Sequence, residues 1–324
     1  MDFADVTRAR VFLRDQLAVT RLVRAASLGR DAGARVYLKL ESEHPTGSFK
    51  VRGALTALAR NRERGRAGVV TCSTGNHGAA VAYAARRLGL AATVYLPERP
   101  NPVKRARIVE LGARVVEAGR DYDEAREHAA RHAREHSAYL VEDGRDPDLT
   151  AGAATLGCEI VEQLPEVDVV YVPVGDTTLI RGVASAVRHL RPAARVVGVQ
   201  AEGAPAYFRS WHAERVVSTE TCDTVADGLA VRSPTAENVR ELRTIVDTMR
   251  LVSDGALLGA VYRLLVEEHT VAEPAGAAST AAFLDDAAAQ AGQAVVLVVT
   301  GANITPDLLR RAVLTGGGVG ERAG

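Results

Sequence analysis

Short runs of β-branched and aliphatic residues alternate along this chain with longer stretches rich in Ala, Arg and Glu, whose apolar positions recur at helical spacing. That alternation constrains the fold more than any other feature. Apolar runs at residues 35–40, 68–72, 92–96, 114–117, 167–174, 196–200 and 294–300 read as strands. Helical periodicity covers 51–64, 78–88, 103–111, 122–136, 155–163, 179–189, 256–268 and 275–288. Strands alternating with helices predict an α/β fold with mostly parallel sheets flanked by helices. In such folds ligands bind where the carboxyl ends of strands lead into helices. The chain has 324 residues, enough for two domains of ordinary size. The polar, turn-rich run Glu-Asp-Gly-Arg-Asp-Pro at 142–147 fits a domain crossing and equally a surface loop.

Charge narrows the function. Basic and acidic residues number 40 each, so the net charge is zero. A general nucleic-acid or anionic-membrane binder would carry a basic excess. No apolar run approaches the roughly 20 residues that span a bilayer, and the opening Met1-Asp2-Phe3-Ala4-Asp5 has neither part of a signal peptide. Cys72, Cys158 and Cys222 are odd in number and widely spaced, which suits a reducing compartment better than a disulfide framework. The expectation is a cytoplasmic protein acting on a small molecule, with no nucleic acid and no membrane.

Four segments carry candidate chemistry. Lys50 lies in Thr46-Gly47-Ser48-Phe49-Lys50-Val51-Arg52-Gly53, just ahead of a helical pattern. Schiff-base chemistry needs an amine that can lose its proton, and burial favours that loss; Phe49 and Val51 are placed to supply burial. A lysine here also fits a solvated helix start. Next, Cys72-Ser73-Thr74-Gly75-Asn76-His77-Gly78 follows an apolar run and opens a helix. Free backbone N–H groups and hydroxyls at such a place form an anion site suited to a carboxylate, or a simple N-cap. His77 alone fits a packing role as well as a chemical one. Third, Gly175-Asp176-Thr177-Thr178-Leu179 joins a buried strand to a helix, a geometry that suits a phosphate. Asp176 must then point away, because two unit charges about 4 Å apart repel by roughly 4 kcal/mol at an effective dielectric near 20. Asp176 would cap the helix or pair with Arg181, leaving the hydroxyls of Thr177 and Thr178 to donate. Last, Thr300 ends the buried run 295–299, where a hydroxyl can meet a heterocyclic nitrogen or simply begin a turn.

In this order the segments resemble the fold-type II pyridoxal-phosphate (PLP) enzymes, specifically the serine/threonine dehydratase and serine racemase branch. The resemblance covers nearly the whole chain. It rests on Leu38-Lys39-Leu40-Glu41 with Thr46–Arg52, on Ser73–His77, and on Lys104, Leu111-Gly112-Ala113 and Tyr122-Asp123-Glu124-Ala125. Ala226-Asp227-Gly228-Leu229-Ala230-Val231 and Glu273-Pro274-Ala275-Gly276-Ala277 add two further blocks.

The resemblance implies two open twisted sheets in a large domain (1–67 and 147–324) and a smaller mobile domain (68–146), with PLP between them. Lys50 would hold PLP as a Schiff base and later move protons at the substrate Cα. Phe49, Gly228 and Glu273 would lie near the cofactor ring, Asn76 would bond its ring oxygen, and Thr300 would face its nitrogen. Gly175, Asp176, Thr177, Thr178 and Leu179 would hold the phosphate. Ser73, Thr74, Gly75, Asn76 and His77 would cradle the substrate carboxylate. The implied reaction is β-elimination from a β-hydroxy-α-amino acid, such as serine, threonine, 3-hydroxyaspartate or phenylserine, to a 2-oxo acid and ammonia. Alternatives are a racemase using Lys50 and Thr74, a β-replacement enzyme, and a PLP-fold protein without turnover. A homodimer is what the family suggests. Two departures stand out. The family's phosphate loop is typically four glycines and Leu, unlike Gly175–Leu179. Gln200, Ala204 and Ala206 stand where relatives often bind a divalent cation, so no metal is expected.

Overall fold

The computed structural model describes residues 2–316 apart from Thr74, Asn101 and Asp121, and leaves aside the side chains of Asp31, Pro102, Val103, Lys104 and Asp123. Ten strands run through the described residues. They are β1 (Leu22–Arg24), β2 (Arg35–Leu40), β3 (Val69–Cys72), β4 (Ala92–Leu96), β5 (Arg114–Glu117), β6 (Tyr139–Leu140), β7 (Val169–Pro173), β8 (Arg195–Ala201), β9 (Thr248–Val252) and β10 (Ala294–Val299). Two compact units result: Met1–Ala18 with His44–Ala153, and Val19–Glu43 with Ala154–Gly324.

The first unit holds a four-stranded sheet in the order β5-β4-β3-β6, with its pairs parallel. Side chains alternate across it. Val69, Val94 and Leu96 enter one apolar cluster with Ala54, Leu55 and Leu58 of the helix Lys50–Arg60 and Ala80, Val81 and Ala84 of the helix Asn76–Leu88. The small alanines let these two helices approach closely. Val70, Cys72 and Tyr95 point the other way, onto Ala125, Ala129 and Ala133 of the helix Tyr122–Glu135. Their spacing of four residues lines one helical stripe.

The second unit holds a six-stranded sheet, β1-β2-β10-β7-β8-β9. β1 pairs antiparallel with β2, and the remaining pairs are parallel. Val295 to Val299 are fully buried, as expected of a parallel strand covered on both faces. Lys39 is also fully buried, on β2. Its Nζ donates to the Thr20 carbonyl (2.8 Å), Glu159 Oε2 (2.6 Å) and Gln163 Oε1 (2.9 Å). Thr20 in turn donates to the buried Glu41 (2.7 Å). The Leu38–Glu41 motif is thus a satisfied internal polar network, the condition under which charges tolerate burial.

The α/β expectation holds, and the predicted strands fall within a residue or two of β2, β3, β4, β5, β7, β8 and β10. Sequence periodicity missed β1 and β6, which are too short to show it, and β9, a short alternating Thr-Met-Arg-Leu-Val run. It also missed the helices Phe3–Arg14, Ala26–Ala32, Ala206–Ala213, Ala236–Ile245 and Pro306–Gly316. The helix expected from residue 155 begins at Pro147, where proline's fixed φ and missing N–H suit a first position and Asp148 suits the first turn. Residues 1–18, 44–67 and 147–153, expected in the large domain, group with the first unit instead, because the helix Lys50–Arg60 and Leu149 share an apolar cluster with the helix Asn76–Leu88. No helix among the described residues is long and apolar enough to cross a membrane.

Candidate active site

In the first unit, a turn with Gly47 at φ +69° delivers the chain to Phe49 and Lys50. Lys50 is the first residue of its helix. Its Nζ forms an ion pair with Asp143 Oδ2 and lies 4.9 Å from the Phe49 ring centroid. The two side chains of the ion pair are 17% and 13% exposed, so the pair is largely withdrawn from solvent. Ser48 is fully buried, and its Oγ has no hydrogen-bond partner.

The loop after β3 opens the helix Asn76–Leu88. Ser73 Oγ accepts from the Gly75 N–H at 3.2 Å. A Cβ added at Gly75 would meet nothing within 4 Å, so the loop borders open space at a helix N-terminus, where backbone N–H groups await an anion. Asn76 is half-buried at the first helical position. His77 is buried, and its Nε2 lies 3.3 Å from the Val141 carbonyl. Burial pulls its imidazole below the ordinary value; the Asp143 carboxylate opposes that and the Lys50 ammonium adds to it. The His77 ring is thus turned inward to the Val141 carbonyl. Lys50, Asp143 and His77 share one electrostatic neighbourhood. Thr74 lies outside the described residues.

In the second unit, parallel pairing of β7 with β10 brings the carboxyl ends of both strands to the same edge of the sheet. The loop after β7 (175–177) and Thr300 after β10 both sit there. A Cβ on Gly175 would collide with the Gly228 carbonyl oxygen, and one on Gly228 would stand 3.0 Å from Ala275 Cβ. A Cβ on Gly276 would collide with the Gly301 carbonyl oxygen, and the Glu273 N–H donates to that same oxygen at 3.0 Å. Backbone-to-backbone packing therefore gathers the four sequence blocks carrying Gly175, Gly228, Glu273 and Thr300. Glu273 and Thr300 are buried, as are Thr178 and Leu179, while Asp176 is half-buried.

Thr177 is the unusual member. It adopts φ +70°, ψ −11°, and its buried Oγ1 has no partner. A β-branched residue in the left-handed region costs about 1–3 kcal/mol. An orphaned buried hydroxyl at the N-terminus of the helix Thr178–Leu190 fits a phosphorylated cofactor. Arg181, expected as a partner for Asp176, donates from Nε to Glu241 Oε2 at 2.5 Å. Gln200 Oε1 accepts from the Phe208 N–H at 2.8 Å, so this amide anchors the start of a helix. Among the described residues no three His, Cys, Asp or Glu side chains form a group that could hold a metal ion.

Asp143 is the member that sequence reasoning missed. The only signal was its place in the polar run 142–147.

Comparison with known proteins identifies the family. Residues 13–301 match the family described as pyridoxal-phosphate dependent enzyme. The chain is 36% identical over 313 residues to an L-threonine ammonia-lyase of Thermotoga maritima, covering 96% of this chain and 78% of that protein. Its structure is similar to the processed threonine deaminase isoform 2 of Solanum lycopersicum, with a TM-score of 0.92 at 29% identity, covering 97% of this chain and 87% of the other. It is also similar to maize serine racemase, with a TM-score of 0.90 at 27% identity and 97% of both chains covered.

Proposed function

Because this chain belongs to the pyridoxal-phosphate dependent enzyme family, we propose that it is an ammonia-lyase that removes water from a β-hydroxy-α-amino acid to give a 2-oxo acid and ammonia. The observation that carries the proposal is local to the first unit. Lys50 pairs with Asp143, two residues from Val141, whose carbonyl lies 3.3 Å from His77 Nε2 in the loop suited to a substrate carboxylate. When bound, pyridoxal phosphate supplies an aldehyde that condenses with amines and a conjugated ring that draws electron density from the substrate Cα.

The remaining work falls to the protein. Lys50 Nζ would hold the cofactor, and as a free amine it would take the Cα proton as a general base. Ser73 Oγ and the N–H groups opening the helix at Asn76 hold the carboxylate, which fixes the Cα–H bond relative to Lys50. Thr74 is assigned to the same loop. In the second unit, the Thr177 and Thr178 hydroxyls and the first N–H groups of the helix Thr178–Leu190 hold the phosphate, with Gly175, Asp176 and Leu179 shaping the loop. The Thr300 hydroxyl would face the ring nitrogen, offering it a neutral partner. Phe49, Asn76, Gly228 and Glu273 are assigned to the surroundings of the ring. A cytoplasmic homodimer completes the proposal on the strength of the family resemblance, and sedimentation equilibrium tests the dimer.

The experiment is a substrate panel: L-serine, L-threonine, 3-hydroxyaspartate and 3-phenylserine incubated with PLP-loaded protein. The assay measures 2-oxo acid, ammonia and the enantiomers of remaining substrate. Release of 2-oxo acid that vanishes in Lys50→Ala supports a lyase. No 2-oxo acid or ammonia from any substrate refutes it, and inverted substrate alone would transfer the protein to the racemases, in line with its likeness to the maize enzyme.

A further inference from the structure

We propose that Asp143 is the charge partner of the reactive lysine: a positioning residue that receives the Lys50 ammonium after the amine has left the cofactor and taken a proton. The inference rests on the reading of Lys50 given above.

The geometry is specific to this one carboxylate. Asp143 Oδ2 pairs with Lys50 Nζ, while Oδ1 accepts from the Gly144 N–H at 3.1 Å. Gly144 turns there at φ +74°, so the acid is fixed by its own turn. The other acids of the segment are engaged elsewhere. Glu142 faces Arg126 at 3.5 Å. Asp146 accepts from the Tyr139 hydroxyl and from the Asp148 N–H. Asp148 pairs with Arg60 at 2.7 Å and accepts from Asn61 at 2.7 Å.

The site has a need for this anion. Lys50 opens its helix, where the positive end of the macrodipole opposes a cation. Water is mostly excluded, so no solvent shell compensates. The Phe49 face gives some attraction. In the proposed reaction the Cα–H bond breaks and its proton joins the lone pair of Lys50 Nζ. The bonding electrons stay with the substrate carbon and its conjugated system. Lys50 thereby becomes an ammonium, which Asp143 neutralises across a preformed hydrogen bond. That proton finally departs with the β-hydroxyl as water. A fixed anion at the point where positive charge develops lowers the barrier without reorganisation.

A chemical test avoids dependence on turnover. The chain contains three lysines, Lys39, Lys50 and Lys104, so peptide mass mapping reads acylation of Lys50 directly. Apo-protein is labelled with a small amine-acylating reagent, with and without PLP, in wild type, Asp143→Asn and Asp143→Glu. Acylation requires a lone pair, which the ion pair withholds. For a pair between the exposed and fully buried limits, Asp143→Asn should accelerate Lys50 labelling about tenfold. Asp143→Glu should keep the slow rate. With the loaded enzyme, Asp143→Asn should lower kcat by about tenfold or more with KM little changed, since the carboxylate loop is untouched. Labelling and kcat both at wild-type levels, with PLP still protecting Lys50, would overturn the role of Asp143 and leave that of Lys50 standing. Failure of PLP to protect Lys50 would instead overturn the assignment of Lys50 itself, and this inference with it. Should Asp143→Asn not fold, Asp143→Ser takes its place with the same expected outcomes.

Discussion

Replacing Thr177 by valine is expected to move the apo and PLP-bound states in opposite directions. Valine matches threonine in shape and branching, so the left-handed backbone at φ +70° is strained equally in both proteins. What changes is the hydroxyl, which is buried and without a partner. Burying such a group costs about 1–3 kcal/mol on mutational scales. The apo-protein should therefore gain about 1 kcal/mol, a rise in Tm of about 2–4 °C for a unit of this size. In the bound state the same hydroxyl would donate to a charged phosphate, an interaction worth about 1.5–3 kcal/mol. At 1.4 kcal/mol per decade, its loss weakens PLP binding by about 10- to 150-fold. The assays are thermal melts of apo-protein and absorbance titration with PLP. Thr177→Ser should retain the affinity, since it keeps the donor. Two results refute the reasoning. PLP binding within twofold of wild type in the valine variant would remove Thr177 from the phosphate site. A fall of several degrees in the apo Tm would mean the hydroxyl already has a partner.

Gly78→Ala should destabilise the protein by about 1–3 kcal/mol, because the new Cβ would stand 2.7 Å from the Ser73 carbonyl oxygen and 3.2 Å from Val94; a chemical melt showing no change would contradict the packing of that loop. His77 gives a pH dependence. Burial lowers its folded value below the ordinary imidazole value of about 6.5, so the unfolded chain binds more protons as pH falls through that value. Stability should then be full above pH 6.5 and decline toward acid, by at most about 1.4 kcal/mol per pH unit for one proton. Melts between pH 7.5 and 5 should show the decline flattened in His77→Gln.

The sequence carried far into the fold but unevenly into the site, and the division follows physical lines. Features written in local periodicity were legible: the buried valines of β10 and the alanine stripes of the first unit's helices. The blocks at Gly175, Gly228 and Gly276 were marked by the family resemblance rather than by any local pattern, and only the fold shows how closely backbone approaches there. Thr177 was not legible as a left-handed residue, since β-branching argues against positive φ; only the folded loop shows a threonine forced into that conformation. His77 was read as part of the carboxylate cradle, yet its ring turns inward to Val141, a choice set by burial that no local pattern encodes. Asp143 was the hardest to see, lying 93 residues from Lys50 in a run whose acids are indistinguishable by sequence. Which of those three acids meets the lysine depends on how the turn at Gly144 is seated, and that is settled by tertiary packing.

The two features that sequence reading resolved least bear on the same problem, the control of charge around a cofactor. At Thr177 a neutral donor stands where a family glycine would leave only backbone N–H groups. At Asp143 an anion stands beside an amine that must alternate between charged and neutral forms. A threonine hydroxyl strengthens the hold on an anion without adding charge, and a carboxylate beside the lysine supplies charge where a proton arrives. Each substitution costs the apo-protein something, strain at one place and a desolvated carboxylate at the other. Such costs are tolerated when the bound or reacting state recovers them. The thermodynamic signature of this arrangement is an apo-protein whose stability rises when Thr177 loses its hydroxyl, paired with a loaded enzyme that loses cofactor affinity by the same change.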